Sequence, residues 1–145
     1  MGTANILEVP KDLTEIKAVL CVTTDKVYKN KNLRTGFNEN DPRGGNDPHS
    51  ASKAAAEMMI HGYLSIFSNT QTGPYLGIAR WGNIIGGGDW SEDRIILDFI
   101  RSLMQNSVLK IRYPNATQPW QHVLELVHVY LLILSGLVSN NPKIC

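Results

Sequence analysis

Two short groups of residues in this chain hold the side chains that proton transfer needs. Thr24, Asp25 and Lys26 stand at the end of the apolar run Ala18–Thr24. A hydroxyl, a carboxylate and an ammonium placed together there can hold a sugar-like hydroxyl and exchange a proton with it. His49 and Lys53 are spaced i, i+4, which on a helix sets both on one face. An imidazole, with an ordinary pKa of about 6.5, is a competent general base near neutral pH. Further along, Arg80, Trp81 and Asn83 precede a glycine cluster, Gly86–Gly88, that is followed by Asp89, Trp90 and Arg94. Glycines of this kind let backbone N–H groups approach a phosphate. Each group also has a plain structural reading. Asp25 can cap a turn with Lys26 solvated, His49 can merely cap or pack at a helix start, the glycines can form a turn, and Trp81 and Trp90 can be core or interface aromatics.

Stepping from these residues to their supports, Ala18–Thr24 is a nearly continuous apolar run rich in β-branched residues, the pattern of a parallel strand covered on both faces. Its carboxyl end delivers Asp25 and Lys26, and in open α/β sheets ligands bind at that end. Residues 2–9 read as a helix end, and Tyr28 to Asp47 as a long polar loop of the length that is often functional. Asp47 is an N-cap and Pro48 a first helical residue, opening a helix to about Phe67 with Ala54, Ala55, Met58, Met59 and Tyr63 as its apolar face. Pro74–Arg80 predicts a second strand, Asp93–Gln105 a helix, Val108–Arg112 a short strand, and Val123–Val138 a last helix after a loop through Pro119. Strands alternating with helices give the α/β class.

At 145 residues, 43% hydrophobic and 19% charged, the chain has the size of one globular domain. A net charge of +1 provides no basic field to gather nucleic acid. The two cysteines, Cys21 and Cys145, do not make a disulfide framework or a structural metal site. The start of the chain lacks the basic and long apolar regions of a signal peptide, so a cytoplasmic location is expected. Val123–Val138, interrupted by Glu125 and His128, is short for a membrane span and reads as a buried or oligomer-facing helix. His61, His122 and His128 read as packed structural histidines, with His122 also open to a supporting role near the site; none has metal-ligand spacing.

Together, Thr23-Thr24-Asp25-Lys26, Asp47-Pro48-His49-Ser50-Ala51-Ser52-Lys53 and Arg80–Trp90 resemble the extended short-chain dehydrogenase/reductase family that acts on sugar nucleotides, the NAD-dependent epimerases and dehydratases. The ending Gly87-Gly88-Asp89-Trp90, the following Asp93-Arg94 and the Asp-Lys pair resemble the CDP-glucose 4,6-dehydratase type. The resemblance implies a Rossmann-like doubly wound parallel sheet, with NAD as cofactor and a CDP-glucose-like nucleotide sugar as substrate. It implies that Thr24 orients the sugar, that Asp25 and Lys26 handle the protons of water loss, and that Lys53 holds the nicotinamide ribose, with Arg80 and Trp81 beside the cofactor. Asn83, Gly88, Asp89, Trp90, Arg94 and Gln118 fall on the substrate side. In the family the residue four before the lysine is a tyrosine, whose phenolate takes the proton of the sugar hydroxyl as hydride passes to NAD; here it is His49. Trp81 stands where a small residue is usual, Gln118 where an arginine binds the diphosphate, and Leu97 and Leu126 where prolines are usual. A glutamine cannot make an arginine's charge-assisted bidentate contact.

The resemblance covers nearly the whole chain but only the middle of a family enzyme. Residues 1–85 correspond to the second half of the Rossmann-like sheet and 86–145 to part of the sugar-nucleotide lobe. The glycine-rich turn on which a dinucleotide pyrophosphate rests does not occur in the 145 residues. The expectation is therefore a chain truncated at both ends and inactive by itself, with a noncatalytic nucleotide-binding or interaction module as the alternative. A homodimer through the helix that begins at Pro48, or pairing with a separate amino-terminal half, would cover the sheet edge left open.

Overall fold

A computed structural model describes residues 2–29, 35–68 and 73–139. Met1, Cys145 and residues 30–34 of the long loop lie outside this set. In chain order the elements are α1 (Gly2–Glu8), β1 (Ala18–Thr24), α2 (Pro48–Ser68), β2 (Tyr75–Trp81), β3 (Asn83–Ile85), α3 (Ile95–Met104), β4 (Trp120–His122) and α4 (Val123–Ser139), with a 3-10 turn at Asp25–Val27. Strands β1 and β2 pair in parallel, Ala18 opposite Tyr75 through Thr24 opposite Trp81. The α/β class holds.

Side chains alternate across a strand, and this sheet has different partners on its two faces. Val19, Cys21, Leu76 and Ile78 pack with α1 and α2 around Leu7, Ile60, Tyr63 and Phe67. On the other face α4 crosses at Gly77, where an added Cβ would come within 2.9 Å of Leu137. Helix α1 is tied to α2 by the Tyr63 hydroxyl, which donates to Glu8, and Lys11 pairs with the same carboxylate at 2.6 Å. The strand β1 that the apolar run predicts is present with the expected ends, but it is half-buried and Val22 is 53% exposed. Among the described residues the sheet has two strands, so each keeps an open edge and neither is enclosed as a central strand would be.

Several local expectations are corrected. The buried stripe of α2 is Ser50, Ala54, Glu57, Ile60, Tyr63 and Phe67, while Ala55, Met58 and Met59 are exposed. The stripe follows helical spacing through a serine and a glutamate, because those polar groups find partners inside. Residues 108–112 form no strand, and Val108 is exposed; no described strand lies beside them to complete a ladder. The short strands are instead β3 and β4, paired in parallel in stretches whose glycines and prolines suggest loops. Gly82 permits this, since a Cβ there would lie 2.4 Å from Pro119 Cγ, and the Asn83 N–H donates to the Pro119 carbonyl at 2.9 Å. Helix α3 begins at Ile95, after Asp93 at φ 59, and buries none of its residues. Helix α4 spans the predicted apolar stretch but buries only Leu126 and Gly136 fully. No helix among the described residues is long and apolar enough to cross a membrane.

Candidate active site

The register of the sheet builds the centre of the site. Thr23 is opposite Arg80, and both point to the α2 face, where Glu57 drops between them. The Thr23 hydroxyl donates to Glu57 at 2.9 Å, Arg80 donates from Nε at 2.8 Å and from Nη2, and Arg43 Nε lies 3.2 Å from the same carboxylate. Glu57 is fully buried. Burial pushes its carboxyl up, but the Arg80 and Thr23 hydrogen bonds and the charges of Arg80 and Arg43 win, holding it below the ordinary value. Arg80 spends its remaining reach on the Tyr28 hydroxyl at 2.8 Å and the Glu39 carbonyl at 3.0 Å, and lies over the Tyr28 ring. The Glu57 bonds raise its pKa further.

Above this centre a cleft of about 1700 Å³ opens at the carboxyl ends of β1 and β2, and Asp25, Lys26, His49, Arg80, Trp81 and Gln118 line it. His49 reaches it because α2 starts there. Asp47 caps the helix, accepting the Ser50 N–H at 2.9 Å and the Ser50 hydroxyl at 2.6 Å, which also lowers its own pKa. Thr24 is beside the cleft rather than on it; its hydroxyl donates to Asp25 at 3.0 Å and accepts the Lys26 N–H at 3.3 Å. The turn is therefore capped by Thr24 rather than by Asp25, which lines the cleft with Lys26. Asn83 donates to the Gln118 side chain at 3.2 Å, which ties β3 to the cleft wall.

Other predicted residues are not gathered here. Lys53 is exposed and outside the cleft's described lining. Gly88, Asp89, Trp90 and Arg94 form an exposed stretch apart from the cleft, in which Arg94 approaches Asp89 at 3.8 Å and Ser91 bonds the Asp89 carboxylate at 3.0 Å. The histidines differ from the packed reading. His122 and His128 are exposed, and His122 Nδ1 accepts the Leu124 N–H at 3.2 Å. His61 lines the cleft, and its buried Nε2 has no partner among the described residues. Glu57, Arg43 and His61 are the site residues that sequence reasoning missed. The available signal was a glutamate on the spacing of an apolar stripe, facing an arginine inside an apolar strand.

The residues expected to hold NAD fit it poorly. Arg80 is committed to Glu57, Tyr28 and Glu39, and Lys53 is outside the cleft. Trp81 packs edge-on against Tyr130, at 6.2 Å between centroids, leaving its indole N–H and the Tyr130 hydroxyl buried without partners among the described residues. No group of His, Cys, Asp and Glu among the described residues could hold a metal.

Comparison with known proteins agrees with this architecture. The chain is 42% identical over 147 residues to CDP-glucose 4,6-dehydratase of Salmonella typhimurium, covering 99% of the chain and 41% of that enzyme. It is 29% identical over 152 residues to dTDP-D-glucose 4,6-dehydratase of Dictyostelium discoideum, covering 97% of the chain and 33% of that protein. The crystal structure of dTDP-glucose 4,6-dehydratase from Bacillus anthracis in complex with NAD superposes with a TM-score of 0.77 at 27% identity, over 92% of this chain and 41% of that one. The chain thus spans a third to two fifths of the length of these relatives, and the Rossmann-like character of its parallel sheet is theirs. The sequence model of the NAD dependent epimerase/dehydratase family matches residues 1–144, and the chain belongs to that family.

Proposed function

We propose that the chain carries the sugar-nucleotide side of a 4,6-dehydratase-type site, and that the 145 residues alone bind a CDP-glucose-like nucleotide sugar without converting it. The observation that carries this reading is the meeting of Asp25, Lys26 and His49 in one cleft at the carboxyl ends of two parallel strands. The identity to a CDP-glucose dehydratase supplies the substrate class. In this reading Thr24 orients the sugar through its bonded partner Asp25; in a complete family enzyme Asp25 and Lys26 would handle the protons of water loss and His49 would stand in the tyrosine's place. Gln118, held by Asn83, contacts the nucleotide sugar. Residues 1–85 supply the strand ends and 86–145 the lobe that closes over the sugar.

Two departures separate binding from turnover. A histidine nitrogen falls roughly 2 Å short of where a tyrosine oxygen reaches, and misplacement of about 1 Å can cost on the order of 100-fold in rate. On the cofactor side, Arg80 is engaged by Glu57, Tyr28 and Glu39 and Lys53 lies outside the cleft lining. A second reading, a noncatalytic interaction module, is favoured by the exposed apolar side chains of α3 and α4, including Phe99, Leu103, Leu124 and Leu131. Incubation of the purified chain with CDP-glucose and NAD should yield no 4-keto-6-deoxy sugar. Product formation would refute the claim that the chain alone does not turn over.

A further inference from the structure

Arg43 is a second guanidinium lining the cleft beside Arg80. Its segment is fixed to the chain leaving β1: the Lys29 N–H donates to Pro42 at 2.8 Å, the Gly44 N–H to Val27 at 2.9 Å, and Tyr28 and Arg43 form an antiparallel bridge. Its Nε is held 3.2 Å from the buried Glu57 carboxylate, and the side chain, 28% exposed, lines the cleft. An arginine has five N–H donors, and the Nη groups of Arg43 have no partner among the described residues. Arg80, facing the same carboxylate, has donated to Glu57, Tyr28 and Glu39. Beside them the buried His61 Nε2 lies 3.9 Å from Glu57, with no hydrogen-bond partner among the described residues. Burial and the Arg43 charge lower the His61 pKa. Asp25, Glu39 and Asp47 share the cleft wall, but around Glu57 two guanidiniums face one carboxylate. The local balance there is positive.

We infer that Arg43 forms an oxyanion subsite that takes a phosphate group of the nucleotide bound in the cleft. The inference rests on the sugar-nucleotide reading above for its ligand. It supplies a charged donor in a cleft where Gln118 replaces the arginine that the family resemblance leads one to expect. Arg43 is a binding residue, and Glu57 positions it by holding Nε.

The test is calorimetric titration of the whole chain with inorganic pyrophosphate, CDP, CDP-glucose and cytidine, repeated with Arg43→Gln and Arg43→Lys. Charge-assisted bonds of this kind predict CDP about 10- to 100-fold tighter than cytidine. Arg43→Gln should lose that factor and the pyrophosphate isotherm, and Arg43→Lys should recover part of it. Should the glutamine variant not fold, the lysine variant, which keeps the charge beside Glu57, decides by its weaker pyrophosphate binding. Equal binding of CDP-glucose by the chain and by Arg43→Gln overturns the subsite while leaving the sugar-nucleotide reading intact. Arg43-dependent pyrophosphate binding that is not improved by the cytidine and glucose parts overturns that reading and keeps the subsite. No binding of pyrophosphate or CDP-glucose overturns both.

Discussion

A carboxylate with no exposed surface stays charged only where donors replace water, and Glu57 has them from Thr23, Arg80 and Arg43. Removing its charge strands two guanidiniums, so Glu57→Gln should cost about 3 kcal/mol of stability, read from the urea midpoint; a loss under about 1 kcal/mol would mean that the cluster is solvated and weak. The same cluster sets a pH dependence. His61 has a lowered pKa in the fold, so below about 6.5 the unfolded chain takes up a proton that the folded chain refuses, and stability falls. Glu57 and the N-cap Asp47 also have lowered values; their contribution is complete above about 4.3 and is lost as pH falls through the folded values. Thermal melts should therefore weaken in two stages, and His61→Gln should remove the upper one. Melts unchanged between pH 7 and 5, in the chain and the variant alike, would contradict this. The strand-end residues Asp25 and Lys26 were legible because they end an apolar run. Glu57 was not, since a glutamate within a helix reads as solvated until its partners from β1 and β2 are in place.

At the scale of elements, α2 was legible through its Asp47 cap and Pro48, both local signals, and its start and end agree with the sequence to a residue or so. Its buried face was legible only at Ala54 and Tyr63, because helical spacing allows more than one stripe and tertiary partners chose the one containing Ser50 and Glu57. The three-residue strands β3 and β4 carry too little periodicity to be read, and they exist because Gly82 lets the chain lie against Pro119. The stripe left outside, with Met58, Met59 and Ile66 exposed, supports the proposal that α2 pairs with α2 of a second copy. Sedimentation equilibrium should give a dimer, and Met58→Lys with Met59→Lys a monomer that keeps its helix content. A monomeric parent chain would rule this pairing out.

For the whole molecule, the alternation of strands and helices made the α/β class and parallel pairing readable. The extent of burial was not, because an apolar run does not tell how many strands flank it, and the described sheet has two. The chain covers 41% of a CDP-glucose 4,6-dehydratase, and its cleft gathers Asp25, Lys26 and His49 but not Lys53. If this cleft is a nucleotide-sugar site, titration of the chain with CDP-glucose, followed at the backbone amides by NMR, should give saturable shifts at Asp25, Lys26, His49 and Gln118. Shifts that are absent, or confined to the exposed face of α3, would contradict it.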